Sequence, residues 1–121
     1  MQLMFKKRHT IKEVEEGKYL SPKFDENSLI PVITTDFKTG DILMHGYMNY
    51  EALKKTIETK EAHYWSRSRN KLWKKGEESG NVQKVLEIKI DCDEDTLIYL
   101  VEQFGNACHK NTKTCFQRDL I

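Results

Sequence analysis

Leu86, Ile88 and Ile90 alternate with Glu87 and Lys89, and this period of two constrains the fold more than any other pattern in the chain. Successive side chains of a strand point to opposite faces, so such a run buries one face and wets the other. The rhythm recurs at Ile30, Val32 and Thr34, interleaved with Pro31, Ile33 and Thr35. Lys38-Thr39-Gly40-Asp41 reads as a turn, and Ile42–Met48 as the strand that pairs back. Helical spacing is clear at Ala52, Leu53, Thr56 and Ile57, with Asn49 placed to cap. This predicts a helix over about 50–60.

Ala62–Arg69 is aromatic and extended, Asn70 turns the chain, and Leu72–Lys75 returns. Gly76–Asn81 is a polar loop. Leu97, Leu100, Val101 and Phe104 would suit a helix, but Ile98, Tyr99 and Val101 favour a strand. The reading is a strand over Thr96–Gln103, entered by a turn at Glu94-Asp95. Ala107–Phe116 reads as a short hairpin around Asn111, a residue that tolerates positive φ. Residues 1–28 are polar and weakly periodic, and read as an N-terminal arm or short helix. The expectation is one α+β domain over 1–121, strand-rich with one main helix.

Lys plus Arg is 20 and Asp plus Glu is 19, a formal charge of +1, which argues against a general polyanion or nucleic-acid binder. There is no apolar run of bilayer length and no signal-like start, so no membrane role is expected. The three cysteines cannot all pair within one chain. Reduced thiols in a cytoplasmic protein fit better than a secreted disulfide scaffold.

Those thiols carry the chemistry. Asp91-Cys92-Asp93-Glu94-Asp95 interleaves one with carboxylates; Cys108-His109 and Cys115 follow. Thiolates suit zinc, while carboxylates suit magnesium, calcium or manganese. In a strand, Asp91 and Asp93 share a face, Cys92 points away, and Asp95 swings back beyond the turn. Three carboxylates there make an oxygen-rich site of the kind magnesium uses. A solvated acidic turn is the plainer alternative. Cys92 needs partners from elsewhere, and Cys108 and Cys115 are the thiols available. Three buried cysteines acting as small apolar residues is the alternative there. Three protein ligands and an open position is the catalytic zinc pattern, so a hydrolytic metalloenzyme leads. Three thiolates leave Zn²⁺ with a net charge of −1 and soften its acidity, so a base or second cation should assist. His109, alternating away from Cys108, is the candidate proton shuttle or partner of a ligand.

A second group could hold an anionic nucleotide. Trp65, Arg67 and Arg69 share a strand face by alternation; Trp73 and Lys75 follow, then Ser79, Gly80 and Asn81. Cations, hydroxyls and glycine N–H groups bind phosphate, and an indole stacks on a flat base. An amphipathic hairpin with a charged outer face is the alternative.

In order and spacing these residues resemble the phosphoribosyl-AMP cyclohydrolase family of histidine biosynthesis. The likeness runs from about Leu29 to Phe116. It rests on Tyr47-Met48-Asn49 with Glu51-Ala52-Leu53, Tyr64-Trp65-Ser66-Arg67-Ser68-Arg69, Leu72-Trp73 with Lys75-Gly76-Glu77, and Ser79-Gly80-Asn81 with Gln83. Asp91-Cys92-Asp93 with Asp95, and Cys108-His109 with Cys115-Phe116, complete it. The resemblance implies hydrolytic opening of the purine ring of 1-(5-phosphoribosyl)-AMP between N1 and C6, the third step of that pathway. It implies zinc on Cys92, Cys108 and Cys115, and magnesium on Asp91, Asp93 and Asp95. It implies a mixed folded sheet, or pseudo-barrel, in an intertwined homodimer, with Cys92 of one chain meeting Cys108 and Cys115 of the other. Two segments depart from the family's usual pattern: Met44-His45-Gly46, in place of Met-Leu-Ala, and Lys110-Asn111-Thr112-Lys113-Thr114, in place of Thr-Gly-Arg-Arg-Ser. The few residues after Cys115 leave no room for the pyrophosphatase domain fused to some relatives. A structural zinc module and a nucleic-acid binder using the Trp65/Arg67 hairpin are the rival readings.

Overall fold

The computed structural model describes residues 21–121. Most of the expected N-terminal arm, residues 1–20, lies outside them. The described elements run β1 (Ile30–Asp36), β2 (Ile42–Met48), α1 (Tyr50–Thr59), β3 (His63–Ser66), β4 (Lys71–Lys74), β5 (Gln83–Ile90) and β6 (Leu97–Gln103). The molecule is α+β, with a four-stranded sheet in the order β2-β1-β6-β5 and a separate β3-β4 hairpin. The four-stranded sheet is mixed: β1 runs antiparallel to β2 and parallel to β6, and β5 antiparallel to β6.

Alternation places Ile30, Val32 and Thr34 of β1 and Leu97, Tyr99 and Val101 of β6 on one buried face. Helix α1 adds Ala52, Leu53 and Thr56 to the buried interior. Two bulges interrupt the rhythm. One in the β1–β2 ladder lets both Leu43 and Met44 turn inward, although they are neighbours. The other, between Val85 and Glu87, corrects the expectation for Leu86. Val85 is buried, Leu86 is 42% exposed, and Ile88 and Ile90 pack partly on the core. The extra residue shifts the phase of the strand, which alternation alone cannot reveal.

The strand expected at Thr96–Gln103 forms, and the helix forms as expected. The Asn49 side chain accepts the Ala52 N–H at 2.9 Å, and Lys60 closes the helix at φ 63° with its N–H on Thr56 O. Replacing Asn49→Ala is expected to cost about 1 kcal/mol, read as a lower urea midpoint with unchanged slope. The hairpin expected at Ala107–Phe116 does not form strands. It is a looped turn, closed by Ala107 N–H to Lys113 O at 3.2 Å and Cys108 N–H to Thr112 O at 3.1 Å. Asn111 does adopt positive φ, 63°. Two ladder bonds on so short a segment do not make a regular strand pair.

A chain of amides and hydroxyls crosses the core. Tyr64 Oη lies 2.7 Å from Thr34 Oγ1 and donates to Gln83 Oε1 at 2.6 Å. Gln83 Nε2 donates to Gln103 Oε1 at 2.8 Å. Tyr99 Oη donates to Thr56 Oγ1 at 3.1 Å, joining β6 to α1. These bonds give the buried Thr34, Thr56, Tyr64, Gln83 and Tyr99 side chains partners, without which each would be costly.

Candidate metal and active site

The acidic cluster sits between β5 and β6. Strand β5 ends at Ile90, so Asp91 and Asp93 do not share a strand face as expected. A turn gathers them instead. Asp91 Oδ1 accepts the N–H groups of Asp95 at 2.9 Å and Thr96 at 3.1 Å, and Glu94 N–H bonds Asp91 O at 3.2 Å. One carboxylate oxygen from each of Asp91, Asp93 and Asp95 lies within 4.8 Å of the others. Such a cluster of oxygens fits a hard divalent cation. Glu94 is the turn's anchor, and sequence reasoning named it only as a turn residue. It is 2% exposed, at φ 63°, and its carboxylate accepts Ser21 N–H at 2.6 Å. Its carbonyl accepts Lys23 N–H at 2.6 Å, so residues 21–23 are tied to the back of the acidic turn.

The second cluster is the 107–116 loop. Thr114 Oγ1 donates to Ile42 O at 2.6 Å and Cys115 N–H to Leu43 O at 2.8 Å, fixing the loop's end to the edge of β2. Cys108 and Cys115 are near enough for each thiol to perturb the other. The Lys110 N–H and the Thr112 hydroxyl hold the Cys108 thiol below its usual range. Desolvation and the neighbouring Cys108 thiol push Cys115 up. A pair so placed fits a thiophilic cation such as zinc, which takes both protons' places. Cys92, on the acidic turn, is exposed. Among the described residues, Cys92, Cys108 and Cys115 do not form a three-ligand group within one chain; the aspartate trio does. His109 stands exposed beside Cys108.

Lys75 faces the thiol pair. Its Nζ donates to Ala107 O at 2.5 Å and lies 5.5 Å from the Trp73 ring centroid. Burial lowers its pKa, while Cys115 and then Cys108 act in the opposite direction.

The nucleotide group is arranged differently from its expectation. Strand β3 stops at Ser66, so Arg67 and Arg69 ride in the exposed turn rather than on a strand face with Trp65. Asn70, at φ 52°, completes that turn. The Arg67 guanidinium sits 3.9 Å above the ring of Tyr47, a residue sequence reasoning did not assign to the site. Trp65 is half-buried opposite Leu72. Trp73 packs 5.4 Å from Tyr64, so part of its ring serves the core. Ser79 Oγ accepts Asn81 N–H at 3.2 Å. A Cβ on Gly105 would lie 2.2 Å from Asn81 Oδ1, and one on Gly76 only 2.4 Å from the Asn81 carbonyl carbon. Gly76 also stands at φ 80°. Gly76→Ala is expected to cost at least about 1–3 kcal/mol and to lower the melting temperature.

The network partners Thr34, Gln83 and Gln103 also went unseen; polar residues inside strands give no signal of which will be bonded.

The family model described as phosphoribosyl-AMP cyclohydrolase matches residues 44–117. A phosphoribosyl-AMP cyclohydrolase of Archaeoglobus fulgidus is 64% identical over 98 residues, 81% of this chain and 91% of the relative. One of Methanococcoides burtonii is 58% identical over 98 residues, 81% of each chain. The histidine biosynthesis bifunctional protein HisIE of Aquifex aeolicus is 57% identical over 102 residues, 84% of this chain and 50% of the relative. With its family model matched and its aligned relatives this similar, the chain belongs to the phosphoribosyl-AMP cyclohydrolase family.

Proposed function

We propose that this protein hydrolyses 1-(5-phosphoribosyl)-AMP at the N1–C6 bond, as the third step of histidine biosynthesis, in a homodimer that uses zinc and magnesium. The observation that carries the reading is the thiol arrangement. Cys108 and Cys115 share one loop, closed by the Ala107–Lys113 and Cys108–Thr112 bonds, while Cys92 stands exposed on another turn of the same chain. Two copies supply what one does not: Cys92 of one chain joins Cys108 and Cys115 of the other. The outer sheet face supports the pairing. Ile98 is 36% exposed, Leu86 42% and Ile42 51%, an apolar surface that a second copy would cover.

Cys92, Cys108 and Cys115 would hold zinc, which supplies Lewis acidity toward water. Asp91, Asp93 and Asp95 would hold magnesium near the same seam. His109 accepts the proton released by the attacking water, from its exposed place beside Cys108. The new C6–O bond forms, the N1–C6 bond breaks, and N1 takes up a proton. Arg67 and Arg69 neutralise phosphate, Arg67 held against Tyr47. Trp65, with the free part of Trp73, stacks on the base; Lys75, Ser79 and Asn81 border the phosphate side. The three free thiols stay reduced in the cytoplasm, where this reading places the protein.

The test combines turnover with metal content. Purified protein is expected to open phosphoribosyl-AMP, to carry about one zinc per chain, and to sediment as a dimer. Near-normal turnover in Cys92→Ala, Cys108→Ala and Cys115→Ala proteins alike would end the reading.

A further inference from the structure

We infer that Lys75 is a positioning residue for the Cys108–Cys115 pair, tethering the loop that carries it and balancing its charge. The inference rests on the reading of those thiols as metal ligands.

Three observations carry it. First, Lys75 Nζ bonds the carbonyl of Ala107, the residue immediately before Cys108. The far end of the loop is held by Thr114 and Cys115 on β2. At the near end, where Phe104 N–H bonds Val82 O at 3.0 Å, Lys75 adds a side-chain tether next to Cys108 itself. Second, the backbone fixes where the ammonium starts. Lys75 N–H bonds Ala62 O at 3.0 Å, and Gly76 turns the chain at once against Asn81. From there the side chain runs toward the loop, its Nζ 5.5 Å from the Trp73 ring centroid. Third, the charge faces thiols and not carboxylates. Among the described residues the ion pairs are Lys74–Glu61 and Lys113–Asp41, and Lys75 joins neither. An ammonium that gives up part of its hydration in a half-buried place needs an anion nearby. Three thiolates around a dication carry a net charge of −1, which one ammonium offsets. Lys75 therefore acts through the sulfurs, in addition to bordering the phosphate side.

The experiment measures zinc affinity of the full-length protein by competition with a chromophoric chelator. Circular dichroism and melting temperature are followed in parallel. Lys75→Met is expected to weaken zinc binding about 10–100-fold, the range for residues that orient ligands. Lys75→Arg should recover much of that loss, since the charge and a donor persist. Lys75→Gln keeps a donor for Ala107 without the charge, and is expected to fold even if the methionine variant does not. Its affinity should still fall about tenfold. Wild-type affinity in the glutamine variant overturns the charge-balancing role. Wild-type affinity in both neutral variants, with a raised KM for phosphoribosyl-AMP, overturns the inference and returns Lys75 to the substrate phosphates. Failure of the parent reading looks different: Cys108→Ser protein would then bind zinc as the unaltered protein does.

Discussion

Mixing Cys92→Ala protein with Cys108→Ala protein, each inactive alone, is expected to restore activity after the subunits exchange. Random exchange makes half the dimers mixed. In a mixed dimer, one site collects both substitutions and the other collects neither. The recovered turnover is therefore about a quarter of the unaltered value, as two-fold symmetry requires. Two variants altered in the same loop, Cys108→Ala and Cys115→Ala, recover nothing, because every mixed site keeps one lesion. Exchange is promoted by brief dilute denaturant and scored by turnover after its removal. No recovery in the first mixture, with mixed dimers verified by mass, rules out a site shared between chains. The expectation follows from one chain's geometry, which puts Cys108 and Cys115 on one closed loop and leaves Cys92 on a separate turn.

Removing the Tyr64 ring is the substitution expected to damage the fold most. Tyr64 is buried, its ring packs on Trp73 at 5.4 Å and Tyr99 at 5.8 Å, and it lies against Gly46. Its hydroxyl joins Thr34 to Gln83. Truncating a buried aromatic ring costs about 3–5 kcal/mol through lost contacts and the cavity left behind. The orphaned Gln83 oxygen adds to that cost. Domains of this size have about 5–15 kcal/mol in all, so Tyr64→Ala is expected to leave little folded protein. Tyr64→Phe separates the two contributions. It keeps the ring and removes the hydroxyl, and should cost about 1–3 kcal/mol in urea titrations. An unchanged midpoint for Tyr64→Phe would show that the polar chain adds nothing to stability. Burial also pushes the Tyr64 phenol well above its ordinary value, so the group stays neutral and bonded through the working pH range.

Much of this architecture is legible from local pattern. Period-two runs mark β1 and β5, the β-favouring Ile98, Tyr99 and Val101 mark β6, and the Asn49 cap marks the start of α1, because these signals arise between near neighbours. The phase of Leu86 is not legible, since a bulge answers to the partner strand rather than to its own residues. The same limit explains the acidic turn. Composition identifies Asp91, Asp93 and Asp95 as a group, but their convergence depends on backbone bonds to Asp91 and on Glu94 reaching Ser21. Arg67 and Arg69 fall off the strand because β3 ends at Ser66, three residues earlier than the expected segment. Tyr47 under Arg67 is a long-range contact between β2 and a turn, and no local rule encodes it.

The order β2-β1-β6-β5 has a consequence for how the molecule comes into being. β6 is the last strand made, yet it lies between β1 and β5. On the ribosome, β1 waits for its neighbour β6 until the chain has emerged as far as Gln103. Pairing across so great a separation closes slowly, so assembly of the sheet is a late, concerted event rather than a stepwise accretion from the amino end.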